Sequence, residues 1–293
     1  MIHVLVTGSK GQLGLELASL KSNFLNYNFF FTDKSQLDIT NFKAVSTYIL
    51  KNKIEVLINC AAYTNVDKAE EEQDLANEIN HLAVKNLAEI AKKHQLKLIH
   101  ISTDYVFDGS SSAPYTENES TNPQNVYGIT KLNGEKALLK VNPPNAVIIR
   151  TAWLYSSFGE NFVKTILRLS TEKESISVVS DQIGTPTYAN DLAKAILQMR
   201  PLIKNNGVQI YHYTNEGKCS WFQFAEEIIK LSKNKCEVIP VSSSTYNSKA
   251  KRPNFSLLNT TKIQQEFGVK IPQWKDALAV CMEQIKTKAT NED

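Results

Sequence analysis

A tyrosine and a lysine four residues apart are the first side chains in this sequence whose types and spacing could carry out chemistry. Tyr127 and Lys131 lie in the stretch VYGITKLNGEK, which follows a loop rich in Asn, Pro, Thr and Ser. The chain has 11 tyrosines in 293 residues. About one pair at this spacing is expected by chance, so the pair needs a structural context before it predicts a function. A solvated lysine and a half-buried tyrosine on an exposed helix would give the same pattern.

Three glycines near the start of the chain could supply that context. Gly8, Gly11 and Gly14 have the spacing G-x-x-G-x-x-G and directly follow the apolar run Ile2–Val6. Chance gives roughly 0.015 such matches per chain, and this match lies between a predicted strand and a predicted helix. Glycines there permit a tight turn, a close approach of backbone amides to a pyrophosphate, and close packing of helix on strand. The alternative is a tight turn that binds no ligand.

An acidic residue follows the second apolar run, about 20 residues after the glycines, where dinucleotide-binding folds place an acceptor for the adenosine ribose hydroxyls. That residue is Asp33, and Lys34 follows it directly. The lysine could instead pair with the 2′-phosphate of NADP, so the sequence leaves NADH and NADPH open as cofactors. An exposed loop acid would also account for Asp33.

A hydroxyl side chain is expected beside the tyrosine. Thr103 follows the apolar run Lys97–Ser102, and ligands of open parallel sheets bind at the carboxyl ends of strands. Tyr127 could donate a proton to an oxygen that gains charge as hydride arrives, while Thr103 orients the carbonyl. We expect the Lys131 ammonium to favour the phenolate and so to lower the pKa of Tyr127. A strand-end cap is the alternative role for Thr103.

Short apolar runs alternate with helical patterns through the first half of the chain. The predicted strands are Ile2–Val6, Phe29–Thr32, Val56–Asn59, Lys97–Ser102 and Ala146–Arg150. The predicted helices are Leu13–Leu20, Phe42–Asn52, the once-broken region Ala69–His94, and the helix that holds Tyr127 and Lys131. This alternation predicts an α/β fold with a Rossmann-type doubly wound parallel sheet over residues 1–150, buried on both faces.

After residue 150 the alternation is looser. The predicted elements are the helices Asn161–Thr171, Asn190–Met199, Trp221–Ser232 and Trp274–Lys286 and the strands Ser177–Val179 and Gln209–Tyr213. Turn-rich segments cover Ser242–Ser248 and Pro253–Thr261. We predict that residues 151–293 form a smaller C-terminal α/β substrate lobe, with some later segments returning to the first sheet.

Composition excludes several classes of function. A formal net charge of +3 gives no support for nucleic acid or a membrane surface as a partner. The four cysteines, none of them at C-x-x-C spacing, argue against a disulfide framework and a metal site. The N-terminal apolar run is too short for a signal peptide, and no stretch approaches membrane-spanning length. We therefore expect a cytoplasmic protein.

Stretches along nearly the whole chain carry a family resemblance. They are GSKGQLG (8–14), LDITN (37–41), NCAAYTNVDKAE (59–70), STDYVFDG (102–109), YTENESTNPQNVYGITKLNGEK (115–136), RTAWLY (150–155), NFVKTILRL (161–169), DQIGTPTYANDLA (181–193) and KRPNFSLLNT (251–260). With these stretches the sequence resembles the dTDP-4-dehydrorhamnose reductases, a family of extended short-chain dehydrogenase/reductases. The resemblance implies reduction of the 4-keto group of a nucleotide sugar, dTDP-4-dehydro-L-rhamnose, by NADPH or NADH. The product, dTDP-L-rhamnose, is used for cell-surface polysaccharide.

The resemblance also implies roles for individual residues. Thr103, Tyr127 and Lys131 would form the catalytic triad. The cofactor would contact Gly11, Gln12, Leu13, Asp38, Ile39, Ala61, Ala62 and Tyr63 in addition to the other glycines and Asp33. The sugar would contact Asp104 and Trp153, and the diphosphate would contact Arg252. Second-lobe core is the alternative for Trp153, and a surface charge is the alternative for Arg252.

The sequence departs from the family at one position and leaves rival functions open. Some relatives hold a divalent metal at a dimer interface through acidic side chains. Glu16 is present, but Asn190 stands where a second acid is expected. We therefore predict no bound metal, and a homodimer stays open. Tyr105, where a dehydratase would carry Glu, argues against dehydration. A nucleotide-sugar epimerase stays open, as does a non-catalytic regulatory subunit like that of methionine adenosyltransferase.

Overall fold

The computed structural model describes residues 1–245 and 248–292, so positions 246 and 247 of the turn-rich segment lie outside the described residues. Its strands are β1 (Ile2–Thr7), β2 (Tyr27–Thr32), β3 (Val56–Asn59), β4 (Lys97–Thr103), β5 (Ala146–Thr151), β6 (Leu154–Tyr155), β7 (Ser175–Val179), β8 (Ile183–Gly184), β9 (Thr187–Tyr188), β10 (Val208–His212), β11 (Cys219–Ser220) and β12 (Glu237–Val241). Its helices are α1 (Gln12–Leu20), α2 (Phe42–Lys51), α3 (Val66–Ala69), α4 (Gln73–Asn77), α5 (Ala83–His94), α6 (Val126–Val141), α7 (Phe162–Glu172), α8 (Ala189–Met199), α9 (Trp221–Ser232), α10 (Thr261–Phe267) and α11 (Trp274–Glu292).

Six parallel strands form the main sheet, in the order β10-β5-β4-β3-β1-β2. The chain moves outward from β1 to β2 and then crosses to β3 on the other side of β1. The strand order therefore reverses between β1 and β3, and a crevice opens there at the carboxyl ends of the strands. This arrangement confirms the predicted α/β fold class with its doubly wound parallel sheet.

Two apolar clusters bury the two faces of this sheet. Successive side chains of a strand point to opposite faces, and β1 follows that rule. Val4 and Val6 pack with Leu17 of α1 and Ile196 of α8 on one face. Leu5 packs on the other face in a cluster that includes residues of α2, α5 and α6. Because both faces are covered, the strands are apolar without the alternation of a half-exposed sheet.

Several segments after residue 150 pack against this first sheet. Strand β10 is its edge strand beside β5, and α8 and α10 contribute to its apolar cluster. A third apolar cluster gathers α7, α9 and α11 around β7 and includes Val163, Phe224 and Leu278. In this region β7 pairs with β12 in a separate two-stranded sheet. Division of the chain at residue 150 into two lobes stays a prediction.

The long helical region before β4 is more divided than the sequence predicts. It consists of α3, α4, a π-helical turn at 78–82, and α5. Asn80 of the π turn accepts from Tyr63 N at 2.9 Å and donates to Tyr63 O at 3.0 Å and to Thr130 Oγ1 at 3.2 Å. A buried side chain with three partners thus ties the loop after β3 to α6. π turns of this kind are common near functional sites.

Strand β12 and helix α10 were not predicted. Pro240 lies within β12, and proline weakens a strand signal because it cannot donate to a ladder. Helix α10 has only seven residues, which is too short for a clear amphipathic period. Across the described part of the chain, no helix has the length and apolar character to cross a membrane.

Candidate active site

A cavity of about 660 Å³ opens beside the carboxyl ends of the parallel strands. Such a volume suits a ligand of cofactor size. It brings together residues that lie far apart in sequence. The predicted site residues that line it are Gly8, Gly11, Gln12, Leu13, Gly14, Asp33, Asp38, Ile39, Ala61, Ala62, Thr103, Asp104, Tyr127, Lys131 and Trp153.

The glycine loop forms a cradle in this cavity that larger residues would fill. Gly8 has φ +68°, and a Cβ atom there would lie 2.6 Å from Ala61 N. A Cβ atom on Gly14 would lie 2.6 Å from Gly8 O, so α1 packs directly on the loop. No side chain caps the first turn of α1 at Gly11. Its amide groups are thus available to an anion, as a dinucleotide pyrophosphate requires.

The end of β2 supplies the acidic residue. Asp33 lines the cavity and is almost fully buried. Its carboxylate forms an ion pair with Lys10 of the glycine loop. Mainly because of Lys10, and also because of Ser35, the pKa of Asp33 is held well below its usual range. Asp38 is also fixed, since its Oδ1 accepts from Thr40 N at 3.0 Å.

Helix α6 positions Tyr127 and Lys131 one turn apart. Asn125 caps the helix, accepting from Gly128 N at 2.8 Å and donating to Lys251 O at 2.8 Å. A Cβ atom on Gly128 would lie 2.3 Å from Tyr105 O. Only glycine therefore lets the first turn of α6 approach the segment after β4 so closely. The Tyr127 ring meets the Tyr105 ring edge-on, with 5.5 Å between centroids.

The protonation of this pair differs from the sequence expectation. Burial raises the pKa of Tyr127 to about 12, although a hydrogen bond with Thr103 lowers it. Lys131 Nζ donates to Ile101 O at 2.6 Å, and burial lowers the pKa of this amine to about 8. The expectation that Lys131 lowers the Tyr127 pKa is wrong, because desolvation of the phenolate outweighs the other effects. At neutral pH Tyr127 is therefore a neutral phenol with a proton to donate.

Thr103 and Asp104 form the neighbouring wall. Thr103 Oγ1 donates to Asp104 Oδ1 at 3.0 Å and accepts from Tyr105 N at 3.2 Å. Asp104 Oδ2 is buried without a hydrogen bond. Burial raises the pKa of Asp104 to about 6, and the nearby hydroxyls of Ser256 and Thr103 oppose this rise. An unpaired oxygen of this kind beside Tyr127 can bind a hydroxyl group of a ligand.

Trp153 both lines the cavity and packs against the third apolar cluster. It has φ +48°, which is uncommon for a bulky residue and marks a constrained position. Its ring stacks on Trp221 with 3.6 Å between centroids. A Cβ atom on Gly184 would lie 2.6 Å from the Trp153 ring. The indole is therefore packed against Trp221 and close to Gly184 while it lines the cavity.

Two predicted site residues lie outside the cavity lining. The Tyr63 hydroxyl donates to Glu72 Oε2 at 2.8 Å, while its neighbours Ala62 and Thr64 line the cavity. Arg252 Nη2 pairs with Asp67 Oδ2 at 2.6 Å. Arg252 is thus paired with Asp67 of α3 and is not among the residues that line the cavity.

Asn190 stands where a second acid is expected beside Glu16, and both oxygens of the buried Glu16 carboxylate accept hydrogen bonds. Glu16 is fully buried, and its two oxygens accept from Ser156 Oγ at 2.5 Å and from Asn190 Nδ2 at 2.8 Å. Asn190, which stands where a second acid is expected, therefore stabilises the Glu16 carboxylate by donating a hydrogen bond to it. Within residues 1–245 and 248–292, no three His, Cys, Asp or Glu side chains are grouped to hold a metal ion.

The structure contains a buried ion pair, near Thr103 and Lys131, that the sequence did not predict. Arg150 donates to Glu135 from both Nε, at 3.0 Å, and Nη2, at 2.7 Å. Ser102, adjacent to Thr103, also donates to Glu135. Glu135 follows Lys131 by one further turn, so spacing alone places it on the same face of α6. This spacing pointed to Glu135, but nothing in the sequence shows that Arg150 is the partner of Glu135.

Comparisons with known proteins place this geometry in a family. A family model described as RmlD substrate binding domain matches residues 2–287. The chain belongs to this family. It is 42% identical over 287 residues to a dTDP-4-dehydrorhamnose reductase of Aggregatibacter actinomycetemcomitans, covering 95% of this chain and 97% of that protein.

Solved structures agree with membership in the RmlD substrate binding domain family. A dTDP-4-dehydrorhamnose reductase from Clostridium acetobutylicum has a TM-score of 0.92 and 40% identity, covering 97% of this chain and 100% of that one. A dTDP-4-dehydrorhamnose reductase from Bacillus anthracis, solved in complex with NADP, has a TM-score of 0.91 and 38% identity over 97% of this chain and 100% of that one. Fold and family of this chain follow from these matches.

Proposed function

We propose that this protein is an NAD(P)H-dependent oxidoreductase that reduces the 4-keto group of dTDP-4-dehydro-L-rhamnose to give dTDP-L-rhamnose. One observation carries the proposal. A single cavity brings the glycine cradle together with Thr103, Tyr127 and Lys131, in a chain of the RmlD substrate binding domain family. The product would enter dTDP-rhamnose biosynthesis for cell-surface polysaccharide.

The cavity fits a dinucleotide. Gly8, Gly11 and Gly14 leave the space that side chains would fill, and the uncapped turn of α1 offers amide groups to the pyrophosphate. Asp38, Ile39, Ala61 and Ala62 line the same cavity, where they would contact the adenine and the rest of the cofactor. When bound, the reduced nicotinamide supplies a hydride for C4 of the sugar.

Tyr127 would protonate the oxygen that gains charge at C4. Its raised pKa of about 12 keeps the phenol protonated at neutral pH, which is the form a donor in a reduction needs. The hydrogen bond between the Tyr127 and Thr103 side chains holds the two hydroxyl groups in range of one carbonyl oxygen. Thr103 would orient this oxygen, and Tyr127 would transfer the proton.

Lys131 would hold the nicotinamide ribose. Its amine is fixed by Ile101 O at 2.6 Å and retains further donors for ribose hydroxyls. A pKa of about 8 leaves the amine mostly protonated at neutral pH. A positive charge near Tyr127 would also stabilise the phenolate that remains after proton transfer.

Asp104 and Trp153 would contact the sugar from the other wall of the cavity. The unpaired Asp104 Oδ2 can accept from a sugar hydroxyl, and Trp153 would contact the sugar with the part of the indole that lines the cavity. Arg252 pairs with Asp67 through Nη2, and a guanidinium, with five N–H donors, can contact the diphosphate without losing that pair. We keep Arg252 as a diphosphate contact because the KRP segment carries part of the family resemblance.

The deciding experiment follows NADPH and NADH consumption by absorbance, with enzymatically generated dTDP-4-dehydro-L-rhamnose. We expect consumption with dTDP-L-rhamnose as the product. Failure to consume either cofactor, from protein shown to bind both, would contradict the proposed substrate. A cofactor retained through purification, with sugar interconverted but no net consumption, would indicate an epimerase. Copurification of a partner protein without turnover would indicate a regulatory subunit.

We also propose that the protein acts in the cytoplasm, where dTDP-sugars and reduced nicotinamide cofactors are available, and that a homodimer forms in solution. The proposed partners include neither nucleic acid nor membrane. Sedimentation velocity at several protein concentrations would measure the oligomeric state, and a monomer at every concentration would contradict the homodimer.

A further inference from the structure

A short loop between β6 and α7, residues 156–161, forms part of the cavity wall beside the glycine cradle, and we call it the wall loop. Glu160 and Asn161 line the cavity. Gly159 has φ +62°, and a Cβ atom there would lie 3.3 Å from Gln12 Cγ. The backbone of the wall loop therefore closely approaches the first turn of α1, whose amide groups would face the pyrophosphate.

Side-chain hydrogen bonds fold the wall loop on itself. Asn161 Nδ2 donates to Ser156 O at 2.8 Å and to Phe158 O at 3.3 Å. Ser156 Oγ accepts from Phe158 N at 3.0 Å and donates to Glu16 of α1 at 2.5 Å. Because these bonds share partners, the loop is one connected network. A contact that fixes Phe158 therefore also helps to position Asn161 in the cavity wall.

Helix α11 contacts the wall loop from outside the cavity. Lys288 Nζ donates to Ser157 Oγ at 2.8 Å and lies 2.9 Å from the centroid of the Phe158 ring. Ser157 Oγ in turn donates at 3.3 Å to Oε1 of Gln284, which lies one turn before Lys288 on the same helix. One ammonium group therefore holds two consecutive loop residues, through a charge-assisted hydrogen bond and a cation–π contact.

Lys288 is not among the residues that line the cavity, so any effect on a bound ligand passes through the wall loop. A loop that is already ordered lowers the entropy lost when a ligand binds, whereas a loop that moves freely gives the ligand a path out. We therefore expect the contacts of Lys288 to affect how long a ligand stays in the cradle, and not the chemistry at Tyr127.

We propose that Lys288 is a positioning residue for the nicotinamide cofactor. It holds the wall loop against the glycine cradle and thereby slows release of the cofactor. The loop approaches α1 at Gln12, away from the acid at the end of β2, so NADH and NADPH should depend on Lys288 equally. This role deepens the cofactor part of the proposed function and rests on it.

Stopped-flow fluorescence of NADPH and NADH, without the sugar, tests this role by measuring their binding and their release into excess oxidised cofactor. We expect Lys288→Met to raise both dissociation rate constants about three- to tenfold, because a hydrogen bond and a cation–π contact are lost. The association rate constants should change by less than about twofold, since variants of one site mainly change dissociation. In steady-state kinetics, KM for the cofactor should rise while kcat at saturating cofactor does not fall.

Two matched lysine variants serve as controls for the effect of Lys288. Lys286→Met, at an exposed lysine of α11, removes the same charge from the same helix and should leave release unchanged. Lys288→Arg keeps a cation that can donate to Ser157 and stack on Phe158, so it should release the cofactor at close to the parent rate.

A double-mutant cycle tests whether Lys288 acts through the wall loop. Phe158→Leu removes the ring and should also speed release. The double variant with Lys288→Met should release the cofactor more slowly than the product of the two single effects predicts, because both substitutions remove the same contact. Parent release rates in Lys288→Met, fully independent effects in the cycle, or an equal loss of kcat at saturating cofactor would each overturn the proposal.

The release measurement separates the role of Lys288 from the proposed function, because it uses no sugar. Faster release from Lys288→Met, in a protein that does not reduce the keto sugar, would contradict the proposed substrate and support the role of Lys288. Reduction of the sugar by a parent protein whose release rates equal those of Lys288→Met would do the reverse.

Discussion

At the scale of single residues, burial decides the protonation of the site. Tyr127 and Asp104 lie on adjacent walls of the cavity, and desolvation raises the pKa of both. At neutral pH Tyr127, with a pKa of about 12, therefore keeps its proton, whereas Asp104, with a pKa of about 6, is mostly ionised and can accept a hydrogen bond from a hydroxyl group. The positive charge of Lys131 does not reverse this trend in the structure.

We expect Tyr127→Phe to lower kcat by about 10²- to 10⁴-fold, the range for loss of a positioned proton donor. Cofactor affinity should persist, because the ring and the cradle are retained. Steady-state kinetics and cofactor titration measure the two effects. Tyr48→Phe, at a residue of α2 that packs against Phe30 of β2, is the control and should keep turnover. Near-normal kcat in Tyr127→Phe would remove Tyr127 from the donor role.

Asp104 should make stability fall as pH rises. Its pKa rises from 3.8 to about 6 on folding, so the folded state binds the proton more tightly than the unfolded state. The folded protein therefore loses stability as the pH rises from 3.8 to about 6, by roughly 2 to 3 kcal/mol at most. We expect urea unfolding to show that Asp104→Asn is more stable than the parent protein at about pH 7 but not at about pH 4.

The exposed residue Asp74 on α4 offers a matched substitution for this comparison. Asp74→Asn should leave the pH dependence of unfolding as it is in the parent protein. If Asp104→Asn kept the parent pH dependence, the carboxyl would not be buried as the structure describes.

At the scale of secondary-structure elements, helix α6 positions several side chains of the site. It places Tyr127, Lys131 and Glu135 at successive turns on one face, and Glu135 pairs with Arg150 of β5. Ser102 of β4 donates to the same carboxylate. The ion pair therefore fixes the helix relative to the two strand ends that carry Thr103 and the cavity wall.

Glu135→Gln should destabilise the fold by about 3 kcal/mol, since it leaves the Arg150 guanidinium buried without its counter-charge. Arg168 and Glu172 form the matched exposed pair, at 3.0 Å on α7, and Glu172→Gln should cost less than about 1 kcal/mol. Urea unfolding measures both. If Glu135→Gln and Glu172→Gln lowered the free energy of unfolding equally, burial would not explain the contribution of the Glu135–Arg150 pair.

At the scale of the whole molecule, one buried acid joins distant parts of the chain. Glu16 of α1 bonds to Ser156, after β6, and to Asn190 of α8. The glycine cradle at the start of α1 is thus anchored to segments from the second half of the chain. The covalent chain alone would not fix the position of α1 relative to the segment after β6 and to α8.

Asn190→Asp should destabilise the fold by about 1 to 3 kcal/mol at neutral pH, because a donor is lost and a second carboxylate faces Glu16. The loss should shrink as pH falls and one of the two acids binds a proton. Thermal unfolding across pH checks both effects. Asn26→Asp, at an exposed loop position, is the control, and a pH-independent loss in Asn190→Asp would argue against repulsion between the two acids.

Apolar runs and glycine spacing were enough to predict the parallel sheet and the glycine loop, and spacing also singled out the side chains that we propose as catalytic. These features depend on local properties, since apolar runs define strands and only glycine fits at positions such as Gly8. Spacing along a helix placed Tyr127 and Lys131 on one face, and the end of a strand placed Thr103 beside them. The family resemblance gave the substrate, which no local pattern specifies.

Which distant groups meet, and which of them are charged, follows from the folded packing and not from the sequence pattern. Lys10 beside Asp33, Arg150 beside Glu135, and Asn190 beside Glu16 are contacts between segments that the sequence does not connect. The raised pKa of Tyr127 depends on burial, which is set by everything packed around the phenol. Desolvation and long-range pairing are properties of the folded packing, and no local spacing encodes them.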